Sequence, residues 1–460
     1  MSIFQREARV NELTVLLNYK KQRIHLLGAL GVSMSALAEH LVWLGHTVTG
    51  SDSASSKEKK AYLSALGINI DDTSAQRNIA DADLVVRSLA IPDTSEECVY
   101  ARSLGKPIYD RPELLGALMK GYRQKIGVSG THGKSTTTAI IDRIFSECGL
   151  SPTVFSGAEL ADGRVYRRGE DSIFLYEACE YREAFRSFSP NIAVICGVEL
   201  DHTDYYKSID ALEEAFFASV TSAEWVVISN EYESCRRLIK RLGKRAVSFG
   251  TNDAEYTYFI KKSTLAGTLF TISNNGRSED FYISLPGEYN VKNATAAIAT
   301  ADLAGLDRTA VKLAIAAFRG IARRLEHLGR LGGADIYYDY AHHPTELDAV
   351  IGSLLGCYKS LTVIFRPHTY TRTRDLWHDF TAVLSRATHT LILDIFPARE
   401  IAIPGITAEA LARDTSGGEY TKEDTAVKRA ISFGDEAILL AGAGDVEIIK
   451  NTFENMIKEV

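Results

Sequence analysis

Short apolar runs alternate along this chain with longer stretches of helical period, and most runs stop at glycine or at an acid. That spacing predicts repeated strand–turn–helix units of the kind that build parallel α/β sheets. After a polar helical extension over residues 1 to about 20, Arg23-Ile-His-Leu-Leu-Gly28 reads as a strand entering a turn. Residues 28–43 open an amphipathic helix, and a second strand over 47–49 ends at Gly50-Ser51-Asp52. This begins a Rossmann-like unit, with Asp52 beyond the second strand where a ribose hydroxyl would sit. Gly28 and Gly31 are present, but Leu30 and Ser33 break the dinucleotide fingerprint, which disfavours a nicotinamide oxidoreductase. Strands over 82–86 and 107–109 continue the unit, Asp110-Arg-Pro-Glu113 leads into a helix, and a boundary is expected by Tyr122.

The next run carries the most specific chemistry. In Lys125-Ile-Gly-Val-Ser-Gly-Thr-His-Gly-Lys-Ser-Thr-Thr-Thr-Ala139 a short apolar strand breaks at Gly130 and Gly133, and helix-forming residues begin at Lys134. Glycines there let the backbone approach an anion, Lys134 can bridge outer phosphates, and the Ser135 hydroxyl can meet Mg²⁺ at a helix N-terminus. Val128 stands where the strict P-loop has a further glycine, so this is a variant cradle. Strands over 172–176 and 192–196 end at Glu177-Ala-Cys-Glu180 and Gly197-Val-Glu-Leu-Asp-His202. Ligands gather at the carboxyl ends of parallel strands, so both clusters should flank the cradle. Further strands over 225–229 and 269–272 precede an alanine-rich buried helix running from Leu285-Pro-Gly-Glu-Tyr-Asn-Val-Lys-Asn293 to Leu303. A third α/β unit follows residues 318–326. Its strands lie over 361–365, 391–394 and 437–440, and its polar segments are Tyr337-Tyr-Asp-Tyr-Ala-His-His-Pro-Thr-Glu346 and Arg366-Pro-His-Thr-Tyr-Thr-Arg-Thr-Arg374.

Length supports this division, since 460 residues exceed what one core serves. A net charge of −7 argues against nucleic-acid and anionic-membrane partners, and 45% apolar with 24% charged residues is ordinary globular composition. Six scattered cysteines without Cys-x-x-Cys spacing read as reduced thiols, and no apolar run reaches spanning length, so a cytoplasmic protein is expected. The N-terminus, with Arg6, Glu7, Arg9 and Glu12, lacks the apolar segment of a signal peptide. A monomer or weak homodimer acting on small molecules is the expectation.

Glu177 and His202, both competent to hold a metal and both at strand ends beside the cradle, suggest a second cation near a phosphate-bound Mg²⁺. Arg372 and Arg374 follow a strand end and suit an anion or carboxylate.

Taken together, Gly130-Thr-His-Gly-Lys-Ser-Thr-Thr137, Asp201-His202, Leu285-Pro-Gly287, Asn290, Asn293, Arg324, Asp339-Tyr-Ala-His-His-Pro-Thr-Glu346, Arg366-Pro-His368 and Ala398-Arg-Glu400 resemble the Mur ligases of peptidoglycan synthesis. The resemblance runs from about Ile24 to Gly444. It implies three domains: a Rossmann-like UDP-substrate domain (1–121), a central P-loop ATPase-type parallel sheet binding ATP (122–321) and a Rossmann-like amino-acid domain (322–460). It implies an ATP-dependent ligase that phosphorylates the carboxylate of UDP-N-acetylmuramate and lets the amine of L-alanine, or another small amino acid, attack the acyl phosphate. The alternatives are a family ligase that adds a preformed peptide in wall recycling or uses another UDP-sugar acid.

By position, Gly130, Thr131, His132, Gly133, Lys134, Ser135 and Thr136 would cradle ATP, and Asn290, Asn293, Arg324 and Asp339 would complete its site. Ser135 and Glu177 would hold one Mg²⁺, with Glu177 and His202 on a second. Lys134, Glu177 and His202 would be catalytic. Gly28, Gly31, Ser51 and Asp52 would line the UDP site, and His342, His368 and Arg372 would face the amino acid. Several family members carry a carbamylated lysine about fifteen residues past the histidine of the Asp-His pair. This chain has Phe217 there. Ser33, Gly197, Tyr289 and Tyr338 also depart from the family's usual glycine, asparagine, histidine and aspartate.

Overall fold

The computed structural model describes residues 3–53, 56–71, 76–160, 163–203, 205–398 and 400–459. Three sheets follow one another along the chain. The first has five parallel strands in the order Asn69–Asp71, Thr47–Ser51, Arg23–Leu27, Leu84–Arg87, Ile108–Asp110. The order reverses direction at Arg23–Leu27, so the crevice outside its carboxyl end is the natural ligand site. That end opens at Gly28.

The second sheet has ten strands: Arg277–Ile283, Gly267–Asn274, Tyr256–Thr264, Ala246–Gly250, Trp225–Ser229, Ile192–Ile195, Gln124–Ser129, Ile173–Glu177, Thr153–Phe155, Tyr166–Arg167. Its middle is parallel and covered on both faces, which is why Ile192, Ala193, Val194 and Ile195 are all buried. The cradle strand Gln124–Ser129 lies between the strands that deliver Glu177 and the Asp201-His202 segment. The helix Glu288–Leu303 is buried almost all round because it packs on both the helix Lys134–Glu147 and the sheet. Its alanines permit that close approach. The three-stranded antiparallel extension beyond Ala246–Gly250 exceeds the single strand expected over 269–272, and Asn275 and Gly276, both at positive φ, turn its second hairpin.

The third sheet runs Glu326–Leu331, Ala334–Asp339, Ala437–Gly442, Leu361–Arg366, His389–Ile392, Gly418–Tyr420, parallel except for its first strand. The α/β class with three successive sheets matches the sequence expectation. The N-terminal extension is a helix, Ile3–Tyr19, but it is not a polar appendage. Val10, Leu13 and Leu17 share one face and are buried. No described helix is long and apolar enough to cross a membrane.

Candidate active site

The strand Gln124–Ser129 stops at Gly130, and the helix Lys134–Glu147 starts after Gly133, whose φ of 83° is left-handed. A Cβ on Gly133 would lie 2.5 Å from Asn293 Oδ1, so only glycine fits between this turn and the buried helix behind it. Lys134 Nζ folds back over the loop. It donates to Gly130 O at 2.5 Å and to the Glu180 carboxylate at 3.1 and 3.2 Å. Glu180 is 2% exposed, and His202 Nε2 lies 3.4 Å from its Oε1. Burial disfavours charge on both members of the Lys134–Glu180 pair, but the surrounding charges and hydrogen bonds together outweigh that cost. Lys134 is held above its ordinary range, and Glu180, with His202 adding to the effect, below its own.

Glu177 occupies a different position. Its Oε2 accepts from Ser135 Oγ at 3.0 Å, and its Oε1 accepts from Ser156 Oγ at 3.1 Å and Gly157 N at 2.5 Å. Ser135 and Glu177 thus meet as expected. Among the described residues the acids beside His202 Nε2 are Glu180, at 3.4 Å, and Asp201, at 3.9 Å, rather than the Glu177 expected to share an ion with it. Sequence reasoning missed Glu180 as a site residue although it closes the acidic segment after the strand Ile173–Glu177.

His132 joins the cradle to the third unit. Its Nδ1 lies 3.1 Å from Glu346 Oε1 and its Nε2 3.3 Å from Glu199 Oε2. Burial alone would lower its pKa, but the hydrogen bonds to Glu199 and Glu346 outweigh that and raise it to about 9. Thr131 Oγ1 fixes the same segment, donating to Glu199 O and accepting from Glu199 N. Arg324 approaches Glu346 at 3.8 Å. Asp339 accepts from Leu325 N and Ala341 N, both at 2.7 Å, and burial lifts its pKa to about 6 against the opposing field of Arg324.

Three cavities converge on these groups. One of about 750 Å³ lies at the joint of the second and third units, lined by His132, Gly133, Ser135, Thr136, Asn293, Arg324 and Asp339, with Tyr289 and Lys292. Asn290 does not line it, because its amide donates to Pro286 O at 2.7 Å and holds the turn before the helix. Another of about 660 Å³ runs from Ser35, Lys59 and Tyr62 of the first unit to Ser135 and Glu177, with Arg324 on its wall. Ser135 and Arg324 therefore line both. The third, about 630 Å³, is bounded by Asp201, His202, His368, Arg372 and Glu400. Arg372 grips both oxygens of Asp201 at 3.0 and 3.2 Å, and although burial would raise that carboxyl, Arg372 together with the His202 ring and backbone N–H holds it far below its usual range. His342 is set one layer back, its ring 5.7 Å from that of His368 and its pKa lowered to about 4, chiefly by burial. Arg399, inside the Ala398-Arg-Glu400 segment, lies outside the described residues.

In the first unit Gly28 N donates to Ser51 O at 2.9 Å, and Leu30 N donates to Asp52 Oδ2 at 2.8 Å. Ser51 and Asp52 thus hold the turn that ends at Gly31, the N-cap of the helix Val32–Trp43. Asp52 serves the backbone of that turn as well as lying where a ribose was expected. The Gly197 departure has a local cause: a Cβ there would lie 2.4 Å from the Tyr232 ring.

A phosphate cradle at the meeting of three α/β units, with openings toward the first and third, defines a nucleotide-dependent enzyme that brings two further reactants together. Residues 23–123 match the Mur ligase family catalytic domain, 128–301 the Mur ligase middle domain and 323–450 the Mur ligase glutamate ligase domain. The chain belongs to the Mur ligase family. Among its relatives, the UDP-N-acetylmuramate–L-alanine ligase of Acetivibrio thermocellus is 35% identical over 96% of this chain and 98% of its own length. That of Caldanaerobacter subterraneus is 38% identical over 83% and 84%. The crystal structure of the UDP-N-acetylmuramate–alanine ligase from Thermotoga maritima superposes with a TM-score of 0.81 at 28% identity, covering 95% of this chain and 99% of that one.

Proposed function

We propose that this chain joins the carboxylate of UDP-N-acetylmuramate to the amine of L-alanine, converting ATP to ADP and phosphate, in peptidoglycan synthesis. The observation that carries the reading is the lining of two cavities by Ser135 and Arg324, which would let a terminal phosphate and an acid entering from the first unit meet. We assign residues 1–121 to the UDP-sugar, 122–321 to ATP and 322–460 to the amino acid.

The chemistry then follows from the groups present. Lys134 lies where charge develops on the transferring phosphoryl group, and it leaves Glu180 for the phosphate. The carboxylate attacks the terminal phosphorus, ADP leaves, and the acyl phosphate faces the third cavity. There the amine attacks the acyl carbon and phosphate departs. The departing phosphate takes up the amine's proton, while Arg372 and His368 orient the amino acid.

Among the described residues no group of three or more His, Cys, Asp or Glu could hold a metal alone. Ser135 Oγ and Glu177 fit Mg²⁺, which keeps several waters and is commonly bound through one or two carboxylates plus phosphate oxygens. Bound there, it would neutralise phosphate charge. His202 and Glu180 would hold a second ion, which would neutralise further phosphate charge. Phe217 offers no oxygen, and its ring lies under the Arg241 guanidinium at 3.8 Å.

The test is phosphate release from ATP across a panel of UDP-sugars, amino acids and short peptides. The reading requires dependence on both a UDP-sugar acid and an amine. Turnover that ignores either substrate would refute it.

A further inference from the structure

The N-terminal helix Ile3–Tyr19 makes a contact that its distance in sequence from the cradle does not suggest. Arg6 lies one turn before Val10 on the face that continues through Leu13 and Leu17. Those three are buried against the helix Arg111–Met119 of the first unit. Arg9 fastens the same helix by donating to both oxygens of Glu113 and to Ile108 O. Arg6 reaches past this docking site into the second unit, where its Nη1 donates to Glu183 O.

Glu183 belongs to the short helical segment Tyr181–Ser187 that follows Glu180, and its conformation is unusual. Arg182 and Glu183 sit consecutively at φ of 50° and 57°, a left-handed pair that side-chain-bearing residues avoid and that only surrounding contacts sustain. Glu183 N donates to Glu180 O, Phe185 N to Cys179 O and Tyr206 Oη to Glu180 O. The backbone bend thereby fixes where the Glu180 carboxylate stands between Lys134 and His202. The three elements meet at Gly116, in mid-helix. A Cβ there would lie 2.2 Å from Ser187 O and 3.5 Å from Val10 Cγ1.

We propose that the N-terminal helix is a brace between the first unit and the loop carrying Glu180, and that Arg6 is a positioning residue for the Lys134–Glu180–His202 group. Through it, the unit that receives the UDP-sugar bears on the bend that places the catalytic carboxylate. Arg6 touches no reacting atom.

The kinetic arm of the test rests on the ligase reading, and a hydrogen-exchange arm does not. In the full-length protein, Arg6→Ala is expected to lower kcat by about tenfold, the scale of a small misplacement of reacting groups, with KM for ATP little changed. It should speed amide exchange at Glu183 and Phe185. Arg6→Lys, which keeps a donor for Glu183 O, should restore most of both. Asn11→Ala, which loses only the helix's contact with Lys120 in the first unit, should leave kcat and exchange at the loop near wild type. Unchanged kcat and exchange in Arg6→Ala would overturn the proposal. So would equal losses in Arg6→Ala and Asn11→Ala without recovery by lysine. If the wild-type chain showed no ligase activity, the functional reading would fail while the exchange results still decided the brace.

Discussion

The imidazole of His132 makes stability depend on pH in a defined window. Folding lifts its pKa from 6.5 to about 9 because Glu199 and Glu346 outweigh burial. A group raised on folding contributes its full stabilisation below the unfolded pKa and loses it as pH climbs through the folded one. At about 1.4 kcal/mol per pKa unit, the loss between pH 6.5 and 8.5 is about 2 kcal/mol. Six other imidazoles act against it. His25, His40, His46, His342, His343 and His368 are lowered to about 4, mainly by burial, and each gains about 0.4 kcal/mol above pH 6.5 as its unfolded form finishes deprotonating, in wild type and His132→Gln alike, while Asp339, near 6, acts at lower pH. The thiols raised by burial begin to lower stability toward pH 8.5, where unfolded cysteine ionises, and do so equally in the variant. Wild type should therefore lose about 2 kcal/mol across this window relative to His132→Gln, which keeps hydrogen-bonding atoms without the charge, and the two melting profiles should converge as pH rises. Ring NMR, assigned by loss of the signal in the variant, should place the titration near 9. Parallel melting profiles, or an imidazole that titrates near 6.5, would refute the argument.

Lys134→Ala should reduce phosphate release by about 10²–10³-fold or more. It should also destabilise the protein by about 3 kcal/mol because Glu180 remains buried without its cation, and adding Glu180→Gln should recover stability in denaturation but not turnover. Arg372→Ala should raise KM for the amino acid at least tenfold and leave KM for ATP near wild type, and equal shifts in both would remove it from the acceptor site. His202→Ala should increase the Mg²⁺ concentration needed for half-maximal rate, while the wild-type rate should not respond to removal of bicarbonate, since Phe217 cannot be carbamylated. A reversible fall in CO₂-free buffer would contradict the second statement.

The α/β class, the order of units and the cradle were legible in the chain because they depend on local pattern. Gly130, Gly133 and Lys134 announce a strand–turn–helix junction within a few residues, and parallel strands put Glu177 and His202 at the same end of a sheet whatever else surrounds them. The Asn274-Asn275-Gly276 signal for a hairpin was present too, although the antiparallel extension whose second hairpin it turns was read as one strand. Pairing across distance was not legible. That His202 stands by Glu180, that His132 is charged between Glu199 and Glu346, and that Arg372 grips Asp201 each follow from sheet order and the docking of separate units. Periodicity reports which face of an element is apolar, not what a polar side chain meets there. The same distinction explains the N-terminal segment: a helical extension was expected over residues 1 to about 20, but only the packing around Gly116 decided that Arg6 would reach Glu183.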